Sequence, residues 1–138
     1  MPPLQAPAPI HDYAQSLKRS KRTLQGLRNG EVALKFLDNL SALGLSTARV
    51  AKYGTMLVVL LRVIDKDLKE VSRDDVERVV AWINCQPHKE WTKHDKKLVL
   101  RKIVQYAKQG SCAKGTLLPT EVSWISLVVK EKDFQGYT

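Results

Sequence analysis

Five polar residues along one stretch are spaced so that they could act together: His94, Lys97, Arg101, Gln105 and Lys108. At ~100° per residue of an α-helix they fall on one side, opposite Val99 and Ile103, with Lys93 on the flank. In such a stripe ammonium and guanidinium groups contact phosphates, while His or Gln reaches base edges. A plain solvated helix face has the same pattern, so the stripe needs support from elsewhere. A second set supplies some. Arg49, Lys52, Thr55 and Met56 point away from the apolar stripe of their own stretch, with Tyr53 beside them. The Thr47 hydroxyl, near the start of that stretch, is placed to bind a phosphate together with backbone N–H groups. Val59 shares the outer side, so a partner or another helix is expected to cover part of it.

Nothing comparable supports bond-breaking chemistry. Cys85, His88, His94 and Cys112 are zinc-ligand types, but their spacing follows no zinc pattern, and Cys85 closes an apolar helical stripe where burial is expected. No metal or cofactor is therefore expected. Asp74 and Asp75 read as helix-capping acids rather than an acid–base pair. The glycines at 26, 30, 44 and 54 are isolated, so no phosphate-cradling loop and no small-molecule substrate are indicated. Aromatic rings that could stack on bases include Tyr13, Tyr53, Tyr106 and the tryptophans. Trp91 is expected to plug the core beside its helix start, Trp82 to offer a packing surface off the buried stripe, and Trp124 to dock the C-terminal segment.

The elements that would position these residues are helical. Val32, Ala33, Phe36, Leu37 and Leu40 recur at helical spacing from about residue 29 to 43, and Gly44 follows as a left-handed cap. Ser46 caps a second predicted helix to about Ile64, with Val50, Gly54, Leu57, Leu61 and Ile64 on one face. Ser72-Arg-Asp-Asp75 reads as a capping box for a third, to about Cys85, burying Val76, Val79, Val80 and Ile83. Thr92-Lys-His-Asp95 reads as the same signal for a fourth, which Gly110 ends and which buries Val99, Leu100, Ile103, Tyr106 and Ala107. Short connections make these a four-helix bundle over residues 29–110, and the fold class all-α. Residues 1–28 read as a flexible arm, Pro-rich and then basic. Its part from 13 to 28, with Leu17, Leu24 and Leu27, is either a loosely held helix or a segment that orders on a partner. Residues 111–138 read as an extended linker, with Glu121 to Val129 alternating like a short strand.

Charge is concentrated in two of these segments. Tyr13 to Gly30 holds Lys18, Arg19, Lys21, Arg22 and Arg28 and no acid; Lys89 to Lys108 holds seven bases and two acids. Each contributes +5 to a total of +9, so the remainder sums to −1. A polyanion is the natural partner, and nucleic acid is the commonest. Solubility alone, or an acidic protein partner for a helical interaction module, would use the same charge. The opening residues carry neither a basic leader nor an apolar stretch, and Met56 to Leu61 is far too short to span a bilayer. A cytoplasmic, DNA-associated protein with no membrane contact is the expectation.

Several strings resemble the core-binding domain of archaeal phage-integrase-type, or Xer-type, tyrosine recombinases. These are Glu31 to Leu45 followed by Ser46 to Tyr53, Asp65 to Val76, Glu90-Trp-Thr-Lys-His-Asp95, and Leu118 to Ile125. They cover about residues 29 to 130 in the family's order. The resemblance implies a SAM-like bundle forming one half of a clamp on double-stranded DNA, with other recombinase subunits as further partners. Carried over, the second-helix contacts are Arg49, Lys52 and Tyr53, and the fourth-helix contacts Thr92, Lys93, His94, Lys97 and Arg101. Lys96 and Lys102 sit nearer the flanks. The basic segment Lys18 to Arg28 would track phosphates or a neighbouring subunit.

The departure from the family concerns catalysis. Its chemistry needs two arginines, a lysine, a His-x-x-Arg element and a nucleophilic tyrosine. His94 is followed by Asp-Lys-Lys97, which is not that element, and Tyr137 lacks catalytic company. The resemblance thus implies binding without cutting, either as the gripping part of a recombinase or as a stand-alone regulator of recombination.

Overall fold

The computed structural model describes residues 8–112 and 115–127, and every regular element among them is helical. In chain order these are α1 (Ala8–Gln25), α2 (Gly30–Ala42), α3 (Thr47–Val63), a 3-10 turn (Leu68–Glu70), α4 (Arg73–Cys85), α5 (Glu90–Gln109) and the single turn α6 (Thr120–Ser123). The chain divides into two compact units between Asp67 and Leu68. The all-α expectation holds for the described residues, but the four predicted helices are shared between units: α1, α2 and α3 pack together in the first, α4, α5, α6 and the 3-10 turn in the second.

In the first unit, the corner between α1 and α2 is closed by backbone contact. Asn29 takes the left-handed conformation (φ 67°), and the Gly30 N–H donates to the Leu27 carbonyl at 2.9 Å. A Cβ on Gly30 would lie 1.7 Å from the Leu24 carbonyl oxygen, so only glycine fits. The same corner holds the far end of α3: Arg28 Nη1 donates to the Asp65 carbonyl and Asn29 Nδ2 to the Lys66 carbonyl, both at 2.8 Å. These satisfy acceptors just beyond the α3 C-cap, Ile64. Between α2 and α3 the chain makes a Schellman turn. Leu45 N–H donates to Leu40 O and Gly44 N–H to Ser41 O, both at 3.1 Å, with Gly44 at φ 99°. Ser46 then caps α3 by accepting from the Arg49 N–H at 3.3 Å.

Of the two readings of residues 13–28, the helix holds as far as Gln25, and the flexible arm is corrected over residues 8–25. That segment is α1, and its most extensive packing is along α3. Leu24 is fully buried and Ser20 nearly so, while a Cβ on Gly54 of α3 would press against Ser20 and Leu17 at 3.2 and 3.5 Å. The inward positions recur at helical spacing, Leu17, Ser20 and Leu24, with the serine against Gly54 of α3. A serine in that stripe hides an amphipathic helix among bases. Residues 1–7 lie outside the described residues.

In the second unit, Ser72 and Asp75 form the expected capping box: Asp75 N–H donates to Ser72 Oγ at 3.2 Å and Ser72 N–H to Asp75 Oδ2 at 2.9 Å. The matching expectation for Thr92 does not hold. Helix α5 begins at Glu90, its N-cap is Lys89 with no side-chain cap bond, and Thr92 lies within the first turn. Gly110 ends α5 in the left-handed conformation, as expected (φ 76°). The extended-linker expectation is corrected at Thr120–Ser123, which is helical. Glu121 begins no strand: α6 packs on α4 and α5, with Val122 and Ile125 buried. Trp124 is held there by its Nε1–H donating to Glu121 O at 2.6 Å and by the Arg73 guanidinium 5.1 Å over its ring. The rest of the linker, from 128 onward and including Tyr137, lies outside the described residues.

Unfolding by urea probes both kinds of corner. Gly30→Ala is expected to lower stability by about 3 kcal/mol, because overpacking against backbone cannot relax by a rotamer change. Ser72→Ala is expected to cost about 1 kcal/mol, whereas Thr92→Ala removes no cap and should be close to neutral in the same assay.

Candidate nucleic-acid interface

The residues expected to grip a phosphate backbone are divided between the units. Thr47, Arg49, Lys52 and Tyr53 lie on α3, and Thr92, Lys93, His94, Lys97, Arg101 and Gln105 on α5.

On α3, Thr47, Arg49, Lys52 and Thr55 are exposed, as the helical wheel requires. Tyr53 and Met56 are not, at 4% and 8% exposure. The reason is that α3 is flanked by both α1 and α2, so its apolar surface runs further round than one stripe. The expectation that another helix covers part of this face is met by α1. Tyr53 still contributes through its hydroxyl, which accepts from Arg49 Nη2 at 3.4 Å, with the guanidinium 6.0 Å from the ring centroid. That interaction orients Arg49. Beside it α1 and α3 leave an open groove of about 440 Å³, where Tyr13 and Ser16 of α1 face Ala48, Arg49, Lys52 and Thr55 of α3.

On α5 the expected outward stripe does not stand free. Every residue from Thr92 to Lys108 is half-buried or buried. Three elements of its unit pack on this helix, namely α4, α6 and the 3-10 turn, whereas the wheel assumes one covered side. Gln105 is 3% exposed, its Nε2 donating to Gln109 Oε1 at 3.3 Å and to the Leu117 carbonyl at 3.4 Å. It belongs to the fold and not to an outer face. Lys93 Nζ donates to Asn84 O at 2.9 Å and lies 3.8 Å from Glu90 Oε2. Lys108 Nζ donates to Lys69 O at 2.9 Å and sits 3.8 Å from Glu121 Oε2. His94 Nδ1 lies 3.1 Å from Asp95 Oδ1, and Lys97 and Arg101 are half-buried. Lys96, expected on the flank, is 7% exposed, with Nζ 3.4 Å from His88 Nδ1 and 5.8 Å from the Trp82 ring. The stripe is largely tied down within its own unit.

Three further expectations change. Trp91 does not plug the core; it is 55% exposed, its ring edge-on to His94 at 5.1 Å. Cys85 is exposed, because the last turn of α4 rotates it off the Val76–Ile83 stripe. Tyr106 is half-buried rather than part of the α5 core. Among the described residues no three His, Cys, Asp or Glu side chains gather as a metal site, and no helix is long and apolar enough to cross a membrane.

Three cations that stand clear lie together on α1. Lys18, Arg19 and Arg22 are exposed and make no ion pair among the described residues. Their neighbour Lys21 does, at 3.3 Å from Asp38 Oδ1. Spaced i, i+1 and i+4, the three occupy one solvent-facing sector of the helix, away from Leu17 and Leu24. The sequence supplied the signal for them, a basic stretch without acids, but not the order that aligns them.

No protein-family model matches this chain, and neither does any curated protein or solved structure.

The two thiols give a test of this placement. Burial pushes the Cys112 thiol above its usual range, with the Lys102 charge pulling the other way. A raised folded-state pKa keeps the thiol protonated in the native chain, so the stability it adds is present below the unfolded thiol's pKa and is lost as pH rises through the folded value. An alkylating reagent at pH 8 should therefore modify exposed Cys85 at least tenfold faster than Cys112, and peptide mapping by mass spectrometry reports the order.

Proposed function

We propose that this chain binds double-stranded DNA through its first unit, as a gripping module without bond-breaking chemistry of its own. The observation that carries this reading is the row of exposed cations, Lys18, Arg19 and Arg22, on a packed helix. A rigid row of cations neutralises phosphates without the entropic cost of ordering an arm, and counterion release supplies the affinity. Arg49 and Lys52 on the adjoining helix extend the positive surface, and the Thr47 hydroxyl sits where α3 begins. In the second unit Lys97 and Arg101 are lesser contacts, because the residues around them are committed to internal bonds.

A role like that of the recombinase core-binding domain is part of the proposal, with the catalytic arginines, His-x-x-Arg element and tyrosine supplied by another polypeptide segment. The quoted strings and their order support it. The emphasis differs from that resemblance, since the leading role moves from α5 to α1.

Fluorescence anisotropy with a labelled 30-base-pair duplex across a salt series tests the reading. Log Kobs should fall linearly with log salt, and K18E/R19E/R22E should flatten the slope by about 0.9 for each phosphate no longer neutralised. K97E/R101E should do less. Absence of duplex binding at low salt removes the DNA assignment, and equal weakening by both variants returns α5 to the interface.

A further inference from the structure

Lys96 is a buried ammonium without a counterion. It is 7% exposed, and lysine is almost never buried to that degree unless it is paired. The two groups beside its head are rings: His88 Nδ1 lies 3.4 Å from Nζ, and the Trp82 ring centroid 5.8 Å. Among the described residues Lys96 makes no ion pair. The acids closest in sequence are drawn elsewhere, Glu90 to Lys93 at 3.8 Å and Asp95 to His94 at 3.1 Å. Burial of a charge is costly until an opposite charge reaches it.

The count of donors points the same way. An ammonium has three N–H groups and accepts nothing. When Lys96 donates to His88 Nδ1, the other ring nitrogen carries the imidazole proton and is a donor as well. The Trp82 face attracts the ammonium through its quadrupole but gives no lone pair. Two N–H groups of Lys96 and one of His88 therefore lack an acceptor among the described residues. Lys89, exposed and without an ion pair among those residues, stands next to His88, and as the N-cap of α5 it brings no side-chain acceptor to the first turn. Pro87, His88 and Lys89 form an exposed connection from α4 to α5, so Lys96 Nζ lies one hydrogen bond in from a solvent-facing ring.

We infer that His88 and Lys96 form a binding site for a phosphate group. A phosphate oxygen replaces the ring nitrogen as acceptor for Lys96, and the exposed imidazole turns to donate to the same group, with the Trp82 face behind the ammonium. Hydrogen bonds between charged partners are shorter and stronger than those to a neutral acceptor, which favours the exchange. A free phosphate ion and a phosphodiester of a nucleic-acid strand offer the same oxygens. The site belongs to the second unit and does not rest on the cation row of α1.

The test uses the full chain and inorganic phosphate, added at pH 7 in place of chloride at constant ionic strength. In 1H–15N spectra the Trp82 indole and the backbone amides from His88 to Thr92 should shift together and saturate, with a Kd in the low millimolar range. His88→Ala, at an exposed position, and Lys96→Met, which keeps a stem against Trp82, should each weaken binding at least tenfold. Arg62→Ala, an exposed cation of the first unit, should leave it unchanged. Circular dichroism checks each fold, and His88→Ala alone decides the matter where Lys96→Met does not fold. No saturable shift up to about 50 mM phosphate, or binding that His88→Ala leaves intact, overturns the inference. Where phosphate binds, the same amides are followed with the 30-base-pair duplex: a matching shift assigns the site to a strand phosphate, and no shift assigns it to the free ion. A K18E/R19E/R22E chain that has lost duplex binding should still bind inorganic phosphate with unchanged Kd, which separates this site from the DNA proposal.

Discussion

The backbone contact between Gly30 and the Leu24 carbonyl governs the first unit. With no Cβ at position 30, α1 ends directly against the start of α2, and the two helices meet at a corner only a few residues long. The left-handed Asn29 turns the chain there and spends its side chain on the Lys66 carbonyl, beyond the end of α3. One corner thereby fixes both neighbours of α1. Gly54 extends the constraint along α3, since its missing side chain makes room for Ser20. Without these close approaches Lys18, Arg19 and Arg22 would be charges on a tether; with them they are charges at fixed spacing.

The second unit is governed by a different constraint, the need of α5 to satisfy neighbours on three sides. A helix covered by α4, α6 and a 3-10 turn has little surface to give away. Its long polar side chains bury their stems and send their heads to nearby carbonyls, as Lys93 and Lys108 do. Gln105 goes further and closes the Leu117 loop from inside. Each of these bonds ties the head of a long side chain to a backbone carbonyl of its own unit. Held at those carbonyls, the same heads have less reach toward a phosphate than cations that extend into solvent.

Local signals were legible in the sequence where the physics is local. Ser46, the Ser72–Asp75 box, Gly44 and Gly110 act within about five residues of themselves, and all four do what their chemistry dictates. The apolar stripes of α2, α3 and α4 were legible too, because a period of 3.6 over three turns leaves little freedom. What could not be read is the number of neighbours each helix would acquire. Tyr53, Met56 and Gln105 point outward only if each helix has one buried face, and second and third neighbours enclose them. Thr92 misled for the complementary reason. Its spacing to Asp95 matches a capping box, but Glu90 and Trp91 already lie in the helix, so the turn begins before the threonine can cap it. In the C-terminal segment, alternation from Glu121 onward matched a strand, yet Pro119 and the buried pair Val122 and Ile125, three residues apart, favour a single helical turn.

Equal net charge in two segments is therefore not equal capacity to bind a polyanion. The basic stretch of α1 and that around α5 each contribute +5. A counterion atmosphere, and a phosphate that displaces it, responds to charges that water can reach and whose donors are not already engaged. In α5 the cations are threaded among carbonyls, two carboxylates and a histidine, so much of their donor capacity is used before any ligand arrives. In α1 the inward residues hold the helix down, and the three outward cations are left out of the packing. The division of labour within that helix, Leu17, Ser20 and Leu24 inward and Lys18, Arg19 and Arg22 outward, makes a folded segment out of what composition alone would describe as a basic tail. Burial pattern, rather than the count of lysines and arginines, decides which charges a partner can reach.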